Sequence, residues 1–285
     1  CSGLGSFLPA NSASCCLDSE DGNINAAMTP IAVVGLGCRM PGADGLDSFW
    51  DMIINRRDGI VEYPPDRFDR SLYYDPQRGI LGKGYSKIGG IIPERPFNGD
   101  ICPLPADLVR KSDPAHLLMC EVVAEACRHA GMDAGRMPYR NTGIYIGHTG
   151  GTTLAGELAY TTYIEEVTEY LKDVDAFRAL PPQTQQETLR EIVDRVHREK
   201  PNHRDLGFPN LGASALPALI ARGLDLNGPM LAVDAACASS LIAMATGVQA
   251  LMTGEIDMAI VGGASHTKWY GLVLFSQAQS LSGTG

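Results

Sequence analysis

The sequence predicts an α/β fold in which helices cover a mainly parallel sheet. Short apolar runs of the kind found in buried parallel strands alternate along the chain with longer segments of helical periodicity. Such an order needs crossover connections between the strands, and these are right-handed. With 285 residues and a hydrophobic fraction of 45%, the chain can bury one large core or two small ones. The predicted strands are Ile31–Gly35, Gly143–Gly147, Met230–Val233 and Met258–Val261.

Helices are predicted where apolar residues recur three and four positions apart. Two of them, Leu46–Asn55 and Asp113–Ala130, precede the second strand, and another follows the third strand from Ala238 to Met252. Residues 58–97 are rich in Pro and Gly, so we expect a long surface loop there, pinned by its Tyr and Phe side chains.

A long helical segment is predicted within Tyr160–Arg204. Thr184 and Glu187 have the spacing of a capping box, which predicts that a helix begins at Thr184. The charges that follow have two interpretations. They form a solvated face, or they form a docking surface for an acidic carrier protein.

The segment Met230–Gly254 carries the strongest functional signal, because Cys237 lies where a strand turns into a helix. The unpaired N–H groups and the dipole at a helix start favour a thiolate and can stabilise an oxyanion. Cys237 is therefore a candidate nucleophile. The alternative is a small buried hydrophobe at a tight turn. The helix is apolar on nearly every face, so we expect it to lie inside the protein.

Several motifs, in order along the chain, resemble those of β-ketoacyl synthases, the condensing domains of fatty-acid and polyketide synthases. DAACASSL at 234–241, followed by GEIDMAIVGGA at 254–264, is similar to their active-site segment. IAVVGLGCRMPG at 31–42, PDRFD at 65–69 and TGIYIG at 142–147 resemble motifs of the multidomain, type I members. The resemblance runs from about Pro30 to the last residue. It implies a thiolase-type layered fold, with the first half complete and the second half largely missing.

The resemblance also implies an activity and its residues. Cys237 takes an acyl group from a carrier-protein thioester, and a malonyl-type extender is then decarboxylated and condensed with it in polyketide or fatty-acid chain elongation. Family members decarboxylate beside two histidines in HGTGT-like and NxGH-like motifs, with a lysine between them. Neither motif occurs in this sequence, so we expect an acyltransferase that is inactive in condensation as an isolated piece. Matching positions place Cys120 near the bottom of the acyl pocket, where ordinary core packing is an equally good explanation.

Two details bear on the subfamily. DAAC in place of the commoner DTAC, together with the long helical insertion, resembles the polyunsaturated-fatty-acid, enediyne or glycolipid-type iterative synthases. Ala115 and His116 stand where type I members usually carry Gln and Arg.

Composition excludes several classes of partner. The net charge of −10 argues against nucleic acid and anionic membranes, and no apolar stretch is long enough to span a bilayer. Eight cysteines without regular spacing indicate free thiols and a cytoplasmic location. The six histidines lack metal-ligand spacing, so we predict neither a metal nor a bound cofactor. The expected partners are an acyl carrier protein bearing phosphopantetheine thioesters, other megasynthase domains, and a second copy in a homodimer.

The predicted domain organisation has two parts. Residues 1–29 are rich in Ser, Asn, Gly and Ala and are expected to be a disordered leader or linker. Residues 30–285 are expected to be the N-terminal part of a ketosynthase domain, with the helical insertion at about 152–206.

Two other functions stay open. The chain could be a condensation-incompetent fragment or a structural and docking partner that lacks the catalytic histidines. It could also be a cysteine hydrolase of thioesters, which needs a base beside Cys237. No histidine in the sequence has a motif context that supplies such a base. His148, in a glycine-rich loop after a strand, is a candidate for a catalytic role, although an ordinary loop position explains it better.

Overall fold

The computed structural model describes residues 30–133, 137–138, 141–150, 153–200, 212–265 and 269–283. The chain divides into a unit Cys1–Ala32 and a unit Val33–Gly285, and the second holds every helix and strand that is described. The predicted leader, residues 1–29, lies outside the described residues. The helices are α1 Leu46–Ile54, α2 Arg70–Tyr73, α3 Ala106–Arg110, α4 Pro114–His129, α5 Thr153–Lys172, α6 Asp175–Arg178, α7 Pro182–Glu199, α8 Ala215–Leu224, α9 Ser239–Met252 and α10 Trp269–Gln277.

The central sheet has three parallel strands in the order β4-β3-β5. β3 is Thr142–Gly147, β4 is Met230–Val233 and β5 is Met258–Gly263, which confirms three of the four predicted strands. Every residue of β3 is buried, as expected for a strand covered on both faces. The parallel arrangement predicted from the order of the elements is therefore present.

Helices cover both faces of this sheet. Ile144 and Ile146 point to one face, where they join a core with residues of α4 and α8. Tyr145 points to the other face and packs with Ala243 and Ala250 of α9. This alternation is the period of two that a strand imposes on its side chains. The result is a three-layered α/β/α arrangement, as predicted.

The predicted first strand is wrong in the described residues. Val33–Gly35 forms no strand, and Val33 and Val34 are exposed. Instead, this segment lies against α4. A Cβ atom on Gly35 would stand 2.2 Å from the carbonyl oxygen of Ala126, so only glycine permits that approach. The apolar run resembled a buried strand, but no described strand lies beside it to pair with its backbone.

The segment that follows is tied to α4 by charge. Arg39, largely buried, forms a two-pronged ion pair with Glu125, and one of its two contacts measures 2.6 Å. Arg95 pairs through one nitrogen with the buried carboxylate of Glu121 at 2.7 Å. Since α4 also packs on the sheet, these pairs fix two surface segments to the core.

The predicted loop at 58–97 has more structure than its composition indicates. β1 (Ile60–Glu62) and β2 (Ile88–Gly90) form a two-stranded antiparallel pair that the sequence did not predict. The aromatic side chains act as expected. Tyr63 and Phe68 are buried in a cluster with Leu272 of α10, and Tyr73 stacks on Trp269 with ring centroids 4.1 Å apart.

The predicted capping box at Thr184 is also wrong. α7 begins at Pro182, with Pro181 at the N-cap position and no side-chain cap. Proline is favoured at the first position of a helix because its fixed φ fits and its missing N–H is not needed there. Thr184 is therefore inside the helix, where its carbonyl accepts a hydrogen bond from the Thr188 hydroxyl.

The core between α4 and α8 should dominate stability. Leu216 is fully buried there, whereas Leu81 is 88% exposed in a loop. We expect Leu216→Ala to lower the free energy of unfolding by about 2–5 kcal/mol, because it removes buried methyl groups and leaves a cavity. The matched control Leu81→Ala should change it by less than about 0.5 kcal/mol. Urea denaturation measures both, and equal effects would contradict this placement of the core.

Candidate active site

Cys237 lies in a tight turn between the edge strand β4 and α9. β4 ends at Val233, and a single 3₁₀ turn, Ala236–Ala238, leads into α9 at Ser239. Ala236 has a φ of 50°, in the left-handed region that residues other than glycine seldom adopt. Such a conformation costs about 1–3 kcal/mol and persists only where its surroundings hold it. Strain of this kind directly before a cysteine marks the turn as a functional candidate.

Hydrogen bonds inside the turn hold this conformation. The Asp234 carboxylate accepts from the Ala236 N–H at 3.1 Å. The Ser239 hydroxyl accepts from the Ala235 N–H at 2.9 Å and donates to the Ala236 carbonyl at 2.6 Å. Because both flanks of Ala236 are bonded, the position of the Cys237 backbone is determined by local contacts.

Glycine at the end of β3 lets the start of α9 reach the sheet. A Cβ atom on Gly147 would stand 2.5 Å from the backbone nitrogen of Ser240, closer than any real contact. The helix continues along the sheet through a stripe of buried small residues, Ala243, Gly247 and Ala250. The turn that carries Cys237 therefore lies directly above the carboxyl ends of the strands, where α/β sheets carry their sites.

The structure leaves Cys237 exposed. The sequence predicted Cys237 where the strand turns into a helix that begins at Ala238. The structure places Cys237 two residues before α9, in the 3₁₀ turn that precedes it. A reagent can reach it there, which is the first requirement for a nucleophile.

The expectation that the following helix lies inside the protein is wrong for the described residues. Leu241 is 67% exposed, Ile242 and Met244 are exposed as well, and so is Met230 of β4. α9 packs on the sheet through its small residues and Leu251, and β4 is an edge strand with no described neighbour on its outer side. The result is an apolar surface formed by β4 and the outer face of α9.

An open groove runs along that surface. Its volume is about 290 Å³, and it is lined by residues that include Tyr145, Leu231, Ile242, Gln249 and Glu255. Neither Cys237 nor Cys120 belongs to its lining. In the described residues, the groove is therefore separate from the two cysteines that the sequence singled out.

Cys120 lies in the core of the protein. Its side chain is 1% exposed and packs in the cluster formed by α4, α8 and β3, beside Cys102. A hydrogen bond with Cys102 and burial hold the pKa of the Cys120 thiol well above its usual value. Burial raises the pKa of nearby Cys127 to about 11. The structure thus brings Cys120 together with the buried thiols Cys102 and Cys127, and its role as a pocket floor stays a prediction.

Sequence reasoning missed a buried pair of histidines. His148 follows β3 directly, and its Nε2 lies 3.0 Å from Nε2 of His116, in the first turn of α4. The rings meet edge to face with centroids 5.0 Å apart. His116 was visible only as a departure from the usual Gln and Arg, and His148 only as a loop residue weighed for a catalytic role, with no sign that the two rings meet. The signal that could have revealed the pair is a histidine directly after a fully buried strand. A buried imidazole ring needs a hydrogen-bond partner.

The part of the chain that the structure describes contains no cluster of His, Cys, Asp or Glu that could hold a metal ion. None of its helices has the length and apolar character to cross a bilayer.

Sequence comparison identifies relatives. Residues 28–285 match the family model described as the N-terminal domain of β-ketoacyl synthase. The chain is 30% identical over 259 residues to a phenolphthiocerol/phthiocerol polyketide synthase of Mycobacterium tuberculosis, a match that covers 90% of this chain and 12% of that protein. It is 29% identical over 239 residues to the pikromycin polyketide synthase component PikAII of Streptomyces venezuelae, covering 83% of this chain and 5% of that protein. The chain thus spans about one eighth or less of these relatives.

Solved structures show the same fold. The PfaC keto synthase–chain length factor superposes with a TM-score of 0.67 at 24% identity, covering 87% of this chain and 26% of that one. The ketosynthase from module 6 of the bacillaene synthase of Bacillus subtilis 168 gives 0.63 at 24% identity, covering 89% and 35%. The predicted thiolase-type architecture is confirmed by these ketosynthases. The chain belongs to the β-ketoacyl synthase family, of which it carries the N-terminal domain.

Proposed function

We propose that this chain provides the acyl-accepting part of a β-ketoacyl synthase, with Cys237 as the nucleophile. The observation that carries the proposal is the exposed thiol in a strained, hydrogen-bonded turn at the carboxyl ends of the strands. Membership of the family supplies the reaction class. The named relatives are polyketide synthases, so the reaction belongs to polyketide or fatty-acid chain elongation.

The proposed first step is a transthioesterification. The Cys237 sulfur attacks the carbonyl carbon of an acyl thioester, a new C–S bond forms, and the bond to the carrier's phosphopantetheine sulfur breaks. The departing sulfur receives the proton that Cys237 lost. The backbone N–H of Cys237 is the proposed donor to the oxyanion of the intermediate. This step needs only an acyl thioester as co-substrate.

Condensation needs more than these 285 residues contain. The second step decarboxylates a malonyl-type extender, and in the resembled family this uses two histidines and a lysine in motifs absent from the sequence. We propose that those groups come from outside residues 1–285. By this proposal the chain alone accepts an acyl group but does not form the new C–C bond.

The proposed partners follow from the same family. They are a carrier protein that presents phosphopantetheine thioesters, the other domains of a megasynthase, and a second copy of the domain. The helices α5 to α7 form the proposed insertion. On α7 basic and acidic residues alternate, and Arg195 is paired with Glu199 at 2.7 Å. This favours a solvated face for α7 over a docking surface for an acidic carrier.

The hydrolase alternative has less support. The sequence offers no histidine in a motif context for the base, and both ring nitrogens of His148 are engaged, one by His116 and the other by the Ala264 carbonyl. A base needs a free nitrogen lone pair within hydrogen-bond reach of the thiol proton.

Replacing the nucleophile tests the main proposal. Cys237→Ala in the protein that carries this chain should abolish covalent loading from an N-acetylcysteamine acyl thioester, because no other described thiol lies in such a turn. Intact-mass spectrometry measures the acyl adduct. Cys38→Ala is the matched control and should load as the unchanged protein does. Full loading of Cys237→Ala would exclude Cys237 as the acceptor.

Alkylation should separate the exposed thiol from the buried ones. With a pKa of about 11, only about one Cys127 thiol in a thousand is ionised at pH 8, and burial also blocks access. We expect iodoacetamide at pH 8 to label Cys237 at least about 100-fold faster than Cys127, and the labelling of Cys127 to increase as the pH rises towards 11. Peptide mapping at timed intervals measures both rates. Equal rates in the folded protein would contradict the burial of Cys127.

The proposed homodimer can be tested at the edge strand. β4 presents unpaired backbone groups and half-exposed side chains, and a charge on an edge strand opposes pairing with a second strand. Leu231→Lys should therefore shift the domain from dimer to monomer in analytical ultracentrifugation. Leu81→Lys, in an exposed loop, is the control and should leave the dimer intact. A dimer that survives Leu231→Lys unchanged would place the interface elsewhere.

A further inference from the structure

His148 contacts three parts of the fold. One of them is Val233, the residue directly before the turn with the proposed nucleophile, residues 234–238 (the nucleophile turn). The backbone N–H of His148 donates to the carbonyl of Val233, the last residue of β4, at 3.0 Å. Its ring Nδ1 lies 3.0 Å from the carbonyl oxygen of Ala264, which follows β5. Its Nε2 contacts His116 of α4 at 3.0 Å. The side chain is 2% exposed, so water does not compete for these bonds.

The partners determine where the protons lie. A carbonyl oxygen can only accept, so Nδ1 of His148 carries a hydrogen and donates it to Ala264. In a neutral ring the other nitrogen, Nε2, is then an acceptor. With both rings neutral, Nε2 of His116 donates to it. The hydrogen bonds run in one direction, from His116 through His148 to Ala264.

These hydrogen bonds fix the backbone of Val233, the residue directly before the nucleophile turn. Val233 is bound by the His148 N–H, and the next residues, Asp234 to Ala236, lead to Cys237. In the other direction, the Ala264 N–H donates to the Gly147 carbonyl at 2.9 Å, so the ring and the backbone both tie the end of β3 to the segment after β5. A strained residue such as Ala236 keeps its φ only while its surroundings are held in place.

We propose that His148 is a positioning residue for Cys237. Its ring anchors the end of β3 to Ala264 and His116, and its backbone then holds Val233 at the origin of the nucleophile turn. The inference rests on the proposed acyl transfer to Cys237. His148 does not exchange a proton with the substrate, because both of its nitrogens are occupied.

Three substitutions separate the contacts of the ring. In His148→Asn the side-chain amide lies near the place of Nδ1 and can still donate to Ala264. In His148→Gln the longer side chain can accept from His116 but leaves the Ala264 carbonyl without its donor. In His148→Phe both contacts are lost while the volume is kept. His197→Phe, on the exposed surface of α7, is the control for an unrelated histidine.

The first measurement is hydrogen exchange of the backbone amides at 234–238, followed by mass spectrometry of the 285-residue chain. We expect exchange to accelerate at least about tenfold in the Phe and Gln variants. It should stay within about threefold of the unchanged chain in His148→Asn and His197→Phe. Rescue by Asn is the result that a general packing defect would not give.

The second measurement is the acylation of Cys237 by an N-acetylcysteamine acyl thioester, compared with its alkylation by iodoacetamide. The Phe and Gln variants should acylate at least about tenfold more slowly at saturating thioester, while alkylation of the exposed thiol changes less than about threefold. If the unchanged chain does not acylate, the proposed function fails, and the exchange data still decide the role of His148. Exchange at 234–238 that is the same in every variant, or as fast in Asn as in Phe, would overturn the inference.

Discussion

The close approach of α9 to the ends of β3 and β5 is the contact on which the site depends. Gly147 and Gly263 have no side chains, and a Cβ atom on either would stand within 2.9 Å of the first turn of α9. The small residues Ala243 and Gly247 extend this contact along the sheet. Because the backbone of Ser240 lies directly against Gly147 at the end of β3, the start of α9 has little freedom to tilt. The turn that precedes α9 and carries Cys237 is therefore held at a defined distance from the ends of the strands.

Hydrogen bonds add to the constraint that this packing places on the turn with Cys237. Bonds from Ser239 and Asp234 hold the turn from inside, and His148 holds its origin from the neighbouring strand. The Asp234 bond is exposed, whereas the bonds of Ser239 and His148 are at least partly shielded from water, where an unmade bond costs about 1–3 kcal/mol. The left-handed φ of Ala236 is therefore sustained by several bonds rather than by one.

The same packing leaves the other side of α9 without cover. Small residues face the sheet, so the large ones, Leu241, Ile242 and Met244, face outwards together with Met230 of β4. Apolar surfaces of this kind mark contact sites in soluble proteins. Matched ketosynthase chains are about three to four times longer than the part that this chain covers, which is consistent with a surface that further protein packs against.

The sequence by itself determined the elements and the family, because both depend on neighbours along the chain. The ordered motifs also point to Cys237, whose role as nucleophile stays a prediction. Apolar periodicity identified β3, β4, β5, α4 and α9, and the ordered motifs identified the family. These succeeded because hydrogen bonding within a helix, burial of a short strand and the spacing of a motif are local properties. The capping box at Thr184 failed for a local reason as well, since Pro181 and Pro182 are a stronger start signal.

Only the tertiary structure decided what lies across long separations in sequence. Val33–Gly35 has the composition of a strand, but it packs on α4 because a strand exists only beside a partner. The outer face of α9 is exposed because β4 is an edge, which periodicity does not report. His148 contacts His116 and Ala264, which lie 32 and 116 positions away in the sequence. No local sequence pattern predicts contacts over such separations. These long-range contacts form because the crossover connections bring the ends of the strands together, and the path of the crossovers is a property of the whole fold.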